Sequence, residues 1–74
     1  MTLQQLKYAI AVADSGSINK AAQEHFLSQP ALSAAIHDLE EESGLTLFER
    51  SNRGVKLTED GRDFLTYARQ LTEQ

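Results

Sequence analysis

Apolar residues recur at helical spacing from Leu3 to Asp14: Leu3, Leu6, Ile10 and Ala13 mark one stripe, and Tyr8, Ala9 and Val12 widen it. The pattern predicts one helix, apolar over most of its circumference and therefore largely buried. Ser15-Gly16-Ser17 ends it, Gly16 suiting a left-handed C-terminal position and Ser17 an N-cap for the next helix. That second helix is expected from Ile18 to about Phe26, with Ala21-Ala22 at its middle. Small side chains there let a neighbouring helix approach closely. Leu27-Ser28 breaks the pattern, Ser28 again suits an N-cap, and Pro30 falls in the first turn of a third helix, where its missing N–H does no harm. Leu32, Ala35, Ile36 and Leu39 form the apolar stripe of this helix to about Ser43, and Gly44-Leu45 closes it.

The period changes at Leu45. Leu47-Phe48-Glu49-Arg50 and Val55-Lys56-Leu57 flank the turn-rich Ser51-Asn52-Arg53-Gly54, which predicts a small β-hairpin. Thr58-Glu59-Asp60 then starts a last helix, with a cap and acids in its positive first turn. Phe64, Leu65, Ala68 and Leu71 give it one apolar face, and no terminating signal precedes Gln74, so the helix is expected to continue in a longer parent. The predicted order is helix, helix, helix, hairpin, helix.

The length of 74 residues allows one small domain with a thin core, and 41% hydrophobic with 24% charged residues argues against disorder. No cysteine is present, which removes disulfides and thiolate metal sites. The longest apolar run, Tyr8 to Ala13, is too short to span a bilayer, and no basic-then-apolar signal opens the chain. A net charge of −4 first speaks against a nucleic-acid surface. Divided along the chain it reads otherwise. Residues 1–37 are neutral, residues 38–49 carry five acids, residues 50–58 carry three bases and no acid, and residues 59–74 contribute −2.

Two helices of unequal length joined by a short break, with an alanine pair in the first, have the spacing of a helix-turn-helix at about residues 18–37. In that motif the second helix enters the major groove N-terminal end first. Opposite the stripe of Leu32, Ile36 and Leu39 stand Gln29, Pro30, Ser33, Ala34 and His37, none of them acidic. Gln29, Ser33 and His37 lie four apart on one line. Gln bonds adenine bidentately, Ser donates or accepts, and the Ala34 methyl suits a thymine methyl. Taken alone this is also an ordinary polar helix face. Within the hairpin, Arg50 and Lys56 suit phosphates, and Arg53 at the tip suits a narrow minor groove. A solvated turn with scattered charges is the competing interpretation, and the helix pair and basic wing together are more specific than either.

Other chemistry is missing. His25 and His37 are the only imidazoles, on different helices and without a His-Glu motif, so no metal site is expected. Asp38, Glu40, Glu41 and Glu42 are expected to form a solvated acidic face. No phosphate-binding or dinucleotide glycine pattern occurs, no cofactor is called for, and the chain is not expected to be an enzyme.

Leu3-Gln4-Gln5-Leu6-Lys7-Tyr8, Ala11-Val12-Ala13, Gly16-Ser17-Ile18 and Ala21-Ala22 are similar to the opening of LysR-type transcriptional regulators. Ser28-Gln29-Pro30-Ala31-Leu32-Ser33, with Ile36, Leu39-Glu40 and Gly44-Leu45, resembles the recognition-helix stretch of that family. Leu47-Phe48-Glu49-Arg50, Gly54-Val55, Leu57-Thr58-Glu59 and Gly61 resemble its wing and linker helix. The similarity covers nearly the whole chain in register. It implies a mainly α, winged helix-turn-helix fold over residues 1–58, of three helices and a small hairpin wing, followed by a linker helix over 59–74 that dimerises.

The resemblance implies the N-terminal DNA-binding domain of a longer, cytoplasmic bacterial regulator. A sensing domain missing from this sequence would take the small-molecule effector, and no membrane would be involved. Gln29, Pro30 and Ser33 match positions facing the major groove, beside the cap residue Ser28. Arg53 matches the minor-groove position of the wing, while Ser17 and Arg50 lie where backbone contacts are expected. Ala34, Ala35, His37 and Asp38 stand where relatives often carry polar or basic residues, and His25 stands where Leu is usual, so electrostatic attraction should be weaker than in a typical member. The expected function is sequence-specific binding of double-stranded DNA, at an interrupted inverted repeat, by a homodimer joined through Phe64, Leu65, Ala68 and Leu71. The alternatives are an interaction module that keeps the fold and the dimer without binding DNA and, more weakly, an acidic DNA mimic.

Overall fold

Each helix starts at a side chain that satisfies its first free N–H groups, in the computed structural model, which describes residues 1–73. Thr2 and Gln5 form a capping box on α1 (Leu3–Ser15), Thr2 Oγ1 accepting from the Gln5 N–H and Gln5 Oε1 from the Thr2 N–H. Ser17 caps α2 (Ile18–Glu24) and Ser28 caps α3 (Gln29–Ser43), their hydroxyls accepting from the Lys20 and Ala31 N–H groups at 3.1 and 3.2 Å. Thr58 caps α4 (Glu59–Thr72) through the Gly61 N–H at 2.9 Å. Between α3 and α4, β1 (Phe48–Ser51) pairs antiparallel with β2 (Gly54–Leu57), Phe48 opposite Leu57 and Ser51 opposite Gly54. The element order is the predicted one, four helices and a two-stranded hairpin.

Leu6, Ala9 and Val12 of α1 meet Ala21 and Ala22 of α2, Leu32, Ile36 and Leu39 of α3, and Leu65 and Ala68 of α4 in one core, with Leu47 and Phe48 leading into the wing. Four of these residues are alanines, so the helix backbones come close together. The first helix is less enclosed than its pattern predicts: Leu3 is half exposed and Tyr8, Ile10, Ala11 and Ala13 are partly covered. Asp14 and Arg69 tie α1 to α4 through a 2.6 Å hydrogen bond that raises the pKa of the guanidinium above its ordinary value.

Two expectations are corrected by this packing. Leu65 and Ala68 do not face outward for a second copy, because with Gly61 they form the inner stripe of α4 and are buried in the core of their own chain. The outer stripe is Phe64, partly buried against the core, with Tyr67 and Leu71, 57% and 50% exposed. Glu40 likewise leaves the solvated acidic face: its Oε2 accepts from the Leu47 N–H at 2.8 Å and the Phe48 N–H at 3.2 Å.

The second helix stops short of Phe26, at Glu24. Phe26 takes φ +57°, the Phe26 N–H donates to the Gln23 carbonyl, and the Leu27 N–H reaches back to the Ala22 carbonyl at 2.9 Å. That is the bond pattern of a Schellman C-cap, with Phe where glycine is usual and its ring 96% exposed. An L-residue held there costs about 1–2 kcal/mol. Phe26→Gly should therefore stabilise the fold, by about 1 kcal/mol or less once the added freedom of the unfolded chain is subtracted, measured as a higher urea midpoint with unchanged slope.

Gly61 is demanded by a close approach. A Cβ at this position would overlap the Leu47 carbonyl oxygen and crowd the carbon behind it. Gly61→Ala should destabilise the domain by about 1–3 kcal/mol despite the better helix propensity of alanine, and a neutral or stabilising result in urea denaturation would show that α4 can slide off the Leu47 peptide.

Candidate nucleic-acid interface

One face of α3 is buried through Leu32, Ile36 and Leu39, which turns Gln29, Pro30, Ala34 and His37 outward. These four, with Ser33 and Glu40 of the same helix and Arg50 of β1, line an open hollow. The residues predicted on the reading face therefore do converge, and one wing residue joins them. Arg50 Nη1 donates to Ser33 Oγ at 3.0 Å across 17 residues of sequence. The carboxylate of Glu40 is engaged by the Leu47 and Phe48 amides, which ties down the one acid lining the hollow. His37 lies 4.0 Å from Glu41 one turn on, both side chains mostly exposed.

The wing tip is a separate basic surface. Asn52 and Arg53 make the two-residue turn, the Arg53 N–H donates to Ser51 Oγ at 3.2 Å, and the side chains of Arg53 and Lys56 are exposed. Against the rest of the molecule the hairpin is held by main chain. The Val55 N–H donates to the Gly16 carbonyl at 3.0 Å, and a Cβ on Gly54 would overlap that same carbonyl oxygen. Ser17, the next residue, is thereby set beside β2, its hydroxyl oxygen occupied as the α2 cap. Ser28 is in the same position at the start of α3, its oxygen accepting and its proton free to turn outward.

Glu40 is the residue that sequence reasoning missed. Its carboxylate places the start of β1 against the C-terminal half of α3, and so places Arg50 over Ser33. Nothing in an acidic run of Asp38, Glu40, Glu41 and Glu42 marks one member as an acceptor for amides seven and eight residues ahead.

A helix pair whose second helix lies beside a β-hairpin is a winged helix-turn-helix. Residues 3–62 match the family model described as "Bacterial regulatory helix-turn-helix protein, lysR family". The chain belongs to this family. It is 51% identical over 71 residues to the HTH-type transcriptional regulator TfdT of Cupriavidus pinatubonensis (strain JMP 134 / LMG 1197), covering 96% of this chain and 31% of TfdT. Among solved structures it is similar to the CbnR DNA-binding domain in complex with DNA, at TM-score 0.93 and 44% identity over 96% of this chain and 82% of that one. The BenM DNA-binding domain with catB site 1 DNA gives 0.90 and 45% over 96% of this chain and 76% of that one. The chain spans about a third or less of the length of the curated relatives it matches.

Removing the Glu40 acceptor leaves two amides without a protein partner. Glu40→Ala should cost about 1–3 kcal/mol and speed amide exchange at Leu47 and Phe48, while Glu40→Gln, which keeps an acceptor oxygen, should recover most of the loss. Equal protection of both amides in Glu40→Ala would show that another group holds the wing.

Proposed function

We infer that the chain is the DNA-binding domain of a bacterial LysR-type transcriptional regulator and binds double-stranded DNA sequence-specifically. The observation that carries this is the hollow between α3 and β1, where Gln29, Ser33 and Arg50 converge and Glu40, the one acid in the lining, has its Oε2 turned to the Leu47 and Phe48 amides. Its support is the likeness to two domains solved with DNA. Gln29, Pro30, Ser33, Ala34 and His37 read base edges in the major groove, and Arg53 enters the minor groove, where narrow A·T tracts concentrate negative potential. Ser17, Ser28, Arg50 and Lys56 hold phosphates.

Residues 1–58 make the reading unit on this view and 59–74 the linker helix. A second copy joins through the outer stripe of Phe64, Tyr67 and Leu71, so that two recognition helices meet an interrupted inverted repeat about 34 Å apart. The family is one of transcriptional regulators. No catalytic role falls to this chain, its place of action is the bacterial cytoplasm, and any small effector is taken by a part of the regulator outside it. Among the described residues no helix is long and apolar enough to cross a membrane.

Mobility-shift titration against a promoter fragment at several salt concentrations tests the reading. With Arg50 and Lys56 on phosphates, log affinity should fall against log salt with a slope of about −2 per subunit. Arg53→Ala should weaken binding most at sites with A·T-rich flanks. Absence of any shift at low salt, or a slope near zero, would leave the interaction-module alternative in its place, and equal weakening at all flanks would make Arg53 a phosphate contact.

A further inference from the structure

We propose that Arg50 of the wing sets the hydrogen-bonding polarity of Ser33, making this serine a donor toward the DNA and Arg50 a positioning residue for base readout. This rests on the DNA-binding reading above.

A serine hydroxyl has one proton and two lone pairs, and left alone it rotates to donate or accept, which makes it an undiscriminating reader. In this chain Ser33 is not left alone. Arg50 Nη1 donates to Ser33 Oγ at 3.0 Å. Among the described residues the hydroxyl has no other side-chain bond, and it does not donate back to a carbonyl of its own helix, as Thr66 does to Arg62. One lone pair is therefore taken by a cation, the proton remains available, and the second lone pair is a poorer acceptor because the oxygen already takes a charged donor. A hydrogen bond from a charged donor also polarises the hydroxyl and strengthens it as a donor in turn. Base edges that match a donor are guanine N7 and O6, adenine N7 and thymine O4; the cytosine amino group does not match.

The guanidinium has four further N–H groups for a phosphate. Arg50 is thus able to hold the backbone and orient a base reader at once. The strand that carries it is anchored at its start by the Glu40 bonds to the Leu47 and Phe48 amides, which set the side from which the fork approaches Ser33.

Selection of sites from a randomised duplex pool tests the proposal, using the whole chain with Ser33→Ala, Arg50→Ala, Arg50→Lys and the double variant Ser33→Ala/Arg50→Ala, each checked for folding by circular dichroism. The wild type should disfavour cytosine at one position by about 5- to 100-fold. Ser33→Ala and Arg50→Ala should both flatten the preference at that same position, and the double variant should flatten it no further than either alone. Arg50→Ala should in addition lower the salt slope by about 1, whereas Arg50→Lys, with the charge but not the planar fork, should keep the slope and still lose preference. Unaltered preference in both Arg50 variants beside an altered one in Ser33→Ala overturns the proposal and leaves Arg50 a phosphate contact. Unaltered preference in Ser33→Ala overturns it as well. A wild type that selects no sequence at all counts against the DNA-binding reading itself.

Discussion

The peptide of Leu47 is where three elements of this small domain are joined. Its N–H donates to Glu40 near the end of α3, its carbonyl accepts from the Thr58 N–H at the start of α4, and the Cα of Gly61 lies against that carbonyl. The Thr58 hydroxyl adds bonds to the Thr46 and Leu47 carbonyls. The Leu47 side chain is fully buried. A thin core of alanines and leucines cannot by itself fix the angle of a two-stranded hairpin, which is marginal in isolation. Directional bonds to one buried peptide can. Because the wing leaves Leu47 in a set direction, Arg50 arrives three residues later over the outer face of α3, and the reading surface is assembled from two elements whose relative position was decided behind it.

The other end of the hairpin is fixed by the same kind of contact. Val55 is bonded to the Gly16 carbonyl at the α1–α2 turn, with Gly54 pressed against it. The wing is therefore held by main-chain bonds on both of its sides, and Asn52 and Arg53 project from it at the tip.

Much of this was legible in the order of residues. Caps at Ser17, Ser28 and Thr58, the glycines after α1 and α3 and the change of period at Leu45 mark most of the element ends, because each answers a local question about free N–H groups or backbone conformation; the Thr2–Gln5 capping box and the end of α2 at Glu24 are not among them. What stayed hidden were questions of which partner. An apolar stripe on α4 says that a surface will be covered, not whether α1 of the same chain or a second copy covers it, so the pattern alone does not tell Leu65 and Ala68, which close the core, from the residues of an outer stripe. An acid in a run of acids looks solvated until the fold brings two amides to it, as with Glu40. Arg50 and Ser33 are each recognisable as candidates, but their bond spans 17 residues and belongs to the packing alone.

The charge follows the same logic. A total of −4 carries little information about a surface on which the acids are so unevenly placed. The N-terminal half of α3 is uncharged, the hairpin from Arg50 to Lys56 is basic, and of the acids on α3 the one that lines the hollow has one carboxylate oxygen bonded to two amides. Long-range attraction to a polyanion is accordingly weak, and screened further by salt. A protein built this way gains little from a diffuse field and must discriminate through short contacts in which each donor is aimed. On the reading proposed above, the orientation of a single serine hydroxyl bonded to one arginine of the wing would carry weight in this domain that it would not carry on a strongly basic one.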